Sequence, residues 1–516
     1  MQPSNESINT CSKKESEEKQ MKRRVLSGLL TGIMSLSLLA GTSFTAAAED
    51  VYDMNMEIIT YGFDDVDLQE VEDAVNEISV PEIGVRVHFV TVAISEMMTK
   101  LPLLAASNEK MDLVQSGLLT TPSILASQGL IQPMTDYLSD AMKEKAGVML
   151  HAGMIGDDIY AYPGTLYSSG CALFLYDKAL AEEYNIEIPE ILTTPEDYDK
   201  LFSQIVESGM PQYAVSMGDG VAAEMSYGNI FDTLGDSTYI ANGCVLDVEN
   251  GTTVENWYAT DAYKQNCEMH RDWFEKGYAL PDSISNGYAV FDSMMQGQVF
   301  GFFGRCSAGS NVAYWSAQTG KELGSIAIGS GDYLLDTAST MNTAWSISSS
   351  SENPQKTADF LELMYNSLEI TNLMDLGIEG KHYVVNEGSH IVDYPEGVDA
   401  GSVGYGHTIG TYGDQAGAYF RAPLTDEFVD NLDLWGPENA KVSRFMGYNF
   451  DTSSVSSEIT AVIAEIGKYG PALNVGTVDT EEMLPTFLDA LEAAGMSKII
   501  EENQRQLDEW LAAQAE

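Results

Sequence analysis

The chain has 516 residues, with 26 Lys and Arg against 78 Asp and Glu, for a formal net charge of −52. A field of that sign repels nucleic acid and anionic lipid, and an apolar fraction of 44% with 16 Pro excludes a disordered chain. The length exceeds one ordinary core and predicts two or more domains.

Residues 1–20 are polar and precede a second start at Met21, so they read as an overlong gene product. Residues 21–48 read as an export leader: Met21-Lys22-Arg23-Arg24 is a basic cap, Val25 to Ala40 is apolar, and Ala46-Ala47-Ala48 offers small residues for cleavage. Val25 to Leu39 is shorter than the roughly 20 apolar residues of a spanning helix.

Beyond Asp50 the pattern predicts a strand at 54–62, a helix at 68–78, a strand at 85–92, a helix at 94–106 and a short buried strand at 111–115. That alternation argues for a parallel sheet with helical crossovers, whose ligands sit beyond the carboxyl ends of the strands. Further on, 173–176 reads as a strand, 178–184 as a helix, and 195–208 as a helix with Thr194 as its cap. Val299-Phe300-Gly301-Phe302-Phe303 reads as a strand that breaks at Gly304-Arg305, followed by a helix at 311–319. Thr343 to Ser348 alternates small and apolar residues as a buried strand does, and Asn353-Pro354 then opens a helix carrying Phe360, Leu361, Met364 and Leu368. Helical periodicity returns at 456–469, 480–494 and 499–513.

Chemistry is sparse. No GxSxG elbow occurs, and the six His show no metal-ligand spacing. Without the leader four Cys remain, Cys171, Cys244, Cys267 and Cys306. They allow three pairings, and buried thiols are as good a reading as a Cys244–Cys267 bond. A chance carboxylate pair leaves a secreted glycan hydrolase as the alternative from another class. The 26 Tyr and 6 Trp are ample for sugar stacking.

The strand, Pro-capped turn and helix from Asp336 to Leu376, with "GIEGKHY" at Gly377 to Tyr383, resemble the family 1 extracellular solute-binding proteins of bacterial ABC importers. Met111 to Asp140 and Gly156 to Asp177 are similar to that family's strand–helix and crossover segments, and Phe445 to Gln514 resembles a C-terminal domain of unassigned role found in one branch of it. The resemblance implies an α/β, two-lobed, periplasmic-binding-protein-like (type II) fold with a hinge and an interlobe cleft, plus a helical C-terminal segment. It implies an N-terminal lobe of residues 49–163 and 324–376, a C-terminal lobe of 164–323 and 377–444, and a helical segment, 445–516, packed on the latter. The function implied is a receptor that captures an oligosaccharide by hinge closure, without cofactor, metal or catalysis. It would act as a monomer and deliver its cargo to ABC permease subunits. A peptide or acidic sugar is the rival ligand. Related proteins carry a lipid-bearing Cys after a Leu-Ala-Gly stretch; here Thr42 follows Leu39-Ala40-Gly41, which argues against lipid anchoring of the exported protein.

Candidate ligand contacts follow from the strand ends and the resemblance together. Tyr61, Tyr162, Trp345 and Trp435 would stack on sugar rings, although each also fits plain packing. Ser116, Asp65, Arg305 and Glu379 would hydrogen-bond to hydroxyls, with a solvated turn the competing reading for Asp65 and Glu379 and a structural ion pair for Arg305. Arg421, with Arg305, would supply counter-charge to an acidic ligand.

Overall fold

The structure, a computed structural model, describes residues 51–60, 65–107, 109–117, 121–217, 231–235, 239–281, 290–308, 311–406 and 412–514. The leader, Thr42 and Tyr61 therefore lie outside the described residues. The chain from Val51 onward is one unit built on two sheets.

In the first sheet, Tyr52–Thr60 lies between Val85–Ala93 and Leu113–Gly117, parallel to both. The strand Thr343–Ser348 returns antiparallel to Leu113–Gly117 and also receives the short strands Ile131–Gln132 and Tyr162–Pro163. Helix Leu68–Ile83 supplies the first crossover and ends on Gly84 at φ 65°, a left-handed position that glycine takes without strain. Asn353 caps helix Pro354–Asn366 through its side chain, and Pro354 occupies the first turn. Its apolar stripe, Phe360, Leu361 and Met364, covers one face of this sheet together with Met54, Met56, Ile58 and Val87. A second cap at Ser367 then starts helix Leu368–Leu376, a break that the hydrophobic spacing alone runs through.

The second sheet runs Tyr213–Ser216, Val299–Ser307, Gly170–Asp177, Leu323–Ile328 and Ile191–Leu192, with Leu334–Leu335 and Lys441–Val442 added near the start of Gly170–Asp177. Val299–Ser307 continues through Gly304 and Arg305, where the sequence suggested a break, because seven residues in a row pair antiparallel with Gly170–Tyr176. Helix Pro195–Glu207 carries a complete capping box, Thr194 with Asp197.

Two boundaries differ from expectation. Leu323–Ile328 pairs in the second sheet, so the chain returns to the first lobe after Leu335 rather than at 324. Much of 377–421 packs on the first lobe instead of the second. Lys381 ion-pairs with Asp67 and His382 Nε2 lies 3.1 Å from the same carboxylate, and Tyr412 packs on Trp345 at 5.7 Å between ring centroids. The C-terminal helices Ser456–Asn474, Thr480–Ala494 and Met496–Gln514 share a core with Trp257, Tyr258, Tyr263 and Cys267 of the second lobe.

Candidate functional site

Among the described residues, three stretches of chain link the lobes. The first, Gly164 to Ser169, is pinned at both ends: Gly164 N–H donates to Thr343 O at 2.7 Å and Thr165 Oγ1 to Gln415 Oε1 at 2.8 Å. At the second-lobe end, Ser169 Oγ donates to Trp435 O at 2.8 Å. The second stretch leaves Leu334–Leu335, turns through the short helix Thr337–Thr340 capped by Asp336, and enters Thr343–Ser348. The third runs from Phe420–Arg421 to Lys441–Val442, which pairs in parallel with Leu334–Leu335. Met149, Ala152, Ala161, Leu335, Met341, Ala344 and Met446 form a small apolar core where these stretches meet. Such a bundle of thin connections, with larger cores on either side, is the construction of a hinge.

Aromatic side chains gather on the second-lobe side of that junction. Tyr333 meets Trp435 edge-to-face, 5.0 Å between centroids at 83°. Tyr167, Trp315 and Tyr333 are half-buried and pack on a cluster that includes Cys171, Leu175, Phe302, Cys306 and Trp435. Carboxylates adjoin them. Tyr167 Oη donates to Asp414 Oδ1 at 3.4 Å across the two lobes, and burial together with the fields of Asp414 and Asp433 pushes the Tyr167 phenol up. Burial, then Cys171, pushes the Tyr333 phenol up to about 12. Flat apolar faces beside carboxylate acceptors suit a polyhydroxylated ring, whose C–H faces stack and whose hydroxyls donate.

The residues expected from sequence fare unevenly. Trp435 belongs to this group and is 8% exposed. Tyr162 and Trp345 are brought together as cross-strand partners, but both are fully buried in the first core. Tyr162 Oη donates to Met142 O at 3.0 Å, so their faces serve packing rather than a ligand. The return strand lies within its sheet and all six of its residues are buried, which leaves a large ring there no route to solvent. Ser116 is likewise buried, its Oγ 2.9 Å from Ser346 Oγ. Arg305 stands opposite Ala172 in the ladder, whereas Cys306 stands opposite Cys171. Neighbouring strand residues point to opposite faces, so Arg305 leaves the sheet on the side away from Tyr333 and Trp435, within the field of buried Asp232. Arg421 is buried, donates to His382 O at 3.0 Å and lies over Tyr394 at 4.3 Å. Asp65 is half-buried at the entrance to helix Leu68–Ile83 and Glu379 is exposed in the Gly377–Tyr383 turn; both sit on the first lobe.

Sequence reasoning passed over Tyr167, Trp315, Tyr333 and Asp414. Tyr333 precedes a two-residue strand and Tyr167 lies in a connection without periodicity, so neither carried a pattern. The one available signal was their place just outside the lobe boundaries.

Two cavities are present among the described residues, the second sharing Asp414 with the junction group. One of about 530 Å³ is lined by Val148, His151, Arg444, Met446, Trp510 and Leu511 among others, between the last helix and the hinge. Another of about 210 Å³ lies by Lys145, Tyr365 and Asp414. Several acids are buried within the lobes, Glu57 and Asp232 among them. Burial pushes Glu57 up to about 7, against a single hydrogen bond of 2.9 Å from Gln115 N–H. Burial and the field of Asp336 push Asp232 up, while its 2.6 Å bond from Ser443 Oγ opposes the shift. Among the described residues no group of three or more His, Cys, Asp or Glu could hold a metal ion, and no helix is long and apolar enough to cross a membrane.

Comparison with known proteins agrees with this architecture. Residues 444–512 match a family profile described as a domain of unknown function, DUF3502. A protein of Streptococcus pneumoniae serotype 4 named carbohydrate ABC transporter substrate-binding protein is 24% identical over 453 residues, 84% of this chain and 87% of that protein. A crystal structure of the N-glycan transport solute-binding protein NgtS from Streptococcus pneumoniae matches with a TM-score of 0.74 at 21% identity, covering 89% of this chain and 99% of that one. The same protein in complex with Man1GlcNAc and with Man5GlcNAc matches at 0.63 and 0.59, with the same coverage and 22% identity. A family 1 extracellular solute-binding protein from Alicyclobacillus acidocaldarius matches at 0.53 with 12% identity, covering 86% of this chain and 99% of that one. The chain thus has the two-lobed α/β fold of the family 1 extracellular solute-binding proteins and carries the C-terminal domain that the sequence resemblance implied.

Proposed function

We propose that this chain is the exported receptor of an ABC importer, binding a neutral oligosaccharide between its lobes and presenting it to a membrane permease. The observation that carries the reading is the group at the lobe junction: Tyr167, Trp315, Tyr333 and Trp435 on one lobe, with Asp414 reaching in from the other. A ligand stacked on the second lobe and hydrogen-bonded to the first is held by both only when they approach.

The energetics are adequate. Shifting an open–closed equilibrium from 1:99 to 99:1 takes about 5.5 kcal/mol of differential affinity. Two hydrogen bonds to carboxylates contribute about 1.5–3 kcal/mol each, and stacking on a ring adds about 0.5–1.5 kcal/mol beyond its area. Contacts of that number, made only in the closed form, suffice to close the hinge. The fall in TM-score from 0.74 to 0.63 and 0.59 across three NgtS structures of equal coverage supports a fold with more than one lobe arrangement.

The acidic-ligand alternative needs an uncommitted cation at the junction, and Lys145, beside Asp414, is ion-paired with it at 2.8 Å. Arg421 is engaged within the first lobe, and Arg305 leaves the opposite face of the second sheet. This favours a neutral ligand. The oligosaccharide named for the relatives, an N-glycan fragment of the Man–GlcNAc type, is the first to try. Thermal shift against neutral N-glycan fragments, uronate oligosaccharides and peptides tests the proposal: stabilisation by the neutral glycans is expected, and stabilisation by peptides or uronates alone refutes it. Unchanged glycans after prolonged incubation separate a receptor from a hydrolase.

A further inference from the structure

We propose that Cys171 and Cys306 are a disulfide site, a cross-strand bond in the second sheet immediately behind the junction aromatics. The antiparallel ladder sets Cys306 directly opposite Cys171, between the pairs Arg305–Ala172 and Ser307–Gly170. Residues directly opposite in such a ladder have Cα atoms about 4.5 or 5.5 Å apart, inside the roughly 4.4–6.8 Å that a disulfide spans. Their Cβ atoms, about 4.5–5.5 Å apart in general, need only a small approach to bond. The two side chains share one face and one apolar cluster, and the Cys306 thiol lies within the field of Cys171. All four described cysteines are thiols in this structure. Cys244 and Cys267 have no comparable register, since Cys244 bridges Glu255 and Cys267 sits on helix Asp261–Glu275.

The bond forms by two exchanges with an external disulfide, either a small-molecule disulfide or a disulfide oxidoreductase. One cysteine thiolate attacks the donor disulfide, whose S–S bond breaks and releases one donor thiolate. The second cysteine thiolate attacks the sulfur of the first in the mixed disulfide, forming the Cys171–Cys306 bond and expelling the other donor thiolate. The protein loses two protons and two electrons, and the donor ends as two thiols. Both cysteines are buried, at 3% and 0% exposure, and burial pushes the Cys171 thiol up to about 11. Exchange in the folded protein is therefore slow, so the bond forms while the strands are coming together in an oxidising compartment. It encloses helices Pro195–Glu207 and Asp261–Glu275 within one covalent loop and restrains the unfolded lobe.

A consequence reaches the junction. Tyr333 lies beside the Cys171 thiol and Trp315 beside the Cys306 thiol. Drawing the two sulfurs together changes the packing beneath both rings, so the oxidised and reduced proteins differ in the setting of those rings.

The test is refolding of the full chain with oxidised glutathione, alkylation under denaturing conditions, and non-reducing peptide mapping. The expected result is a linked pair of peptides containing Cys171 and Cys306, lighter by two hydrogens, with Cys11, Cys244 and Cys267 alkylated. The oxidised form should melt at a higher temperature, and its tryptophan emission should change on reduction; that change should be lost in Cys306→Ser. Full alkylation of both Cys171 and Cys306 after oxidative refolding overturns the proposal, as does a bond found only between another pair. The mapping uses the natural sequence, so it stands whether or not the variant folds.

Discussion

Trp345 and Tyr162 in the first lobe, and Tyr333 and Trp435 beside the second, are similar residue types put to different uses. The first pair lies within its sheet, on a return strand whose six residues are all buried. Tyr365 closes over Tyr162 edge-on at 4.8 Å. The second pair flanks short pieces of chain at the edge of a lobe, where Leu334–Leu335 is only two residues long, and there Tyr333 stays half-buried. A large ring inside a sheet is spent on the core, whereas Tyr333, at a sheet edge beside a crossing, keeps part of its surface exposed. On the proposed reading the stacking surface belongs to the second lobe, and the first contributes acceptors such as Asp414.

The sharpest way to break that contrast is to truncate one ring of each kind. Trp345→Ala should cost about 3–5 kcal/mol of stability by opening a cavity in a fully packed core, seen as a large fall in the urea midpoint. Glycan binding by the molecules that remain folded should be little altered. If Trp345→Ala leaves stability intact and abolishes binding, the division between the lobes is wrong.

A second contrast concerns buried acids. Asp232 in the second lobe receives a hydrogen bond from Ser443 and lies in the field of Arg305, whereas Glu57 in the first has one backbone donor against full burial. With its folded value at about 7 and its ordinary value at 4.5, Glu57 holds its proton in the folded protein through a range where the unfolded chain has lost it. The folded state then binds more protons, so the contribution of Glu57 to stability falls as pH rises from about 4.5 to about 7 and is level above. Glu57→Gln should remove that slope. It should gain on the order of 2–4 kcal/mol over the natural protein at pH 8, since each tenfold change in an acidity constant is worth about 1.4 kcal/mol, and nothing at pH 4. Urea titrations at the two pH values check it, and an equal effect at both would show that the side chain acts by packing alone.

A smaller effect is expected at the ligand. Tyr333→Ala removes a half-buried ring and should cost little stability, but it should weaken glycan binding by roughly tenfold, the equivalent of about 1.4 kcal/mol. Trp315→Ala should behave alike. Calorimetric titration with a neutral N-glycan fragment reads both, and unchanged affinity in both variants would remove the aromatic group from the site.

These contrasts also explain what could be read before the fold was known. The three parallel strands that open the first sheet, the Thr194 and Asn353 caps and the tail helices were legible because each rests on local pattern: alternation, a capping side chain, a Pro in the first turn. The placement of 377–421 was not, since it is decided by contacts such as His382 with Asp67, 315 residues apart. Trp345 and Tyr162 were recognised as large rings near a hinge, but burial by a second layer is a tertiary fact that spacing along the strand does not carry. Arg305 shows the same limit in one residue. Its neighbour Cys306 faces the aromatic group, and a shift of one position along a strand sends a side chain to the other face.

The contact between Asp67 and the 377–383 turn gives the mildest test of where that segment belongs. Asp67 accepts from Lys381 Nζ at 2.9 Å and lies 3.1 Å from His382 Nε2. Lys381, and then His382, hold its carboxyl below the ordinary 3.8, against the opposing effect of burial. A depressed folded value means that the stabilisation is present above the unfolded value and is lost as pH falls through the folded one. Partly exposed pairs of this kind contribute about 0.2–1 kcal/mol, so Asp67→Asn should lower stability by that amount at pH 7, with the deficit shrinking as the solution is taken below pH 3.8. Because Asp67 opens the first crossover helix and its partners open the segment after Leu376, the loss should also appear as faster amide exchange in both stretches together. Faster exchange in the helix alone would mean that 377–421 is held to the first lobe by other contacts, Tyr412 on Trp345 being the foremost.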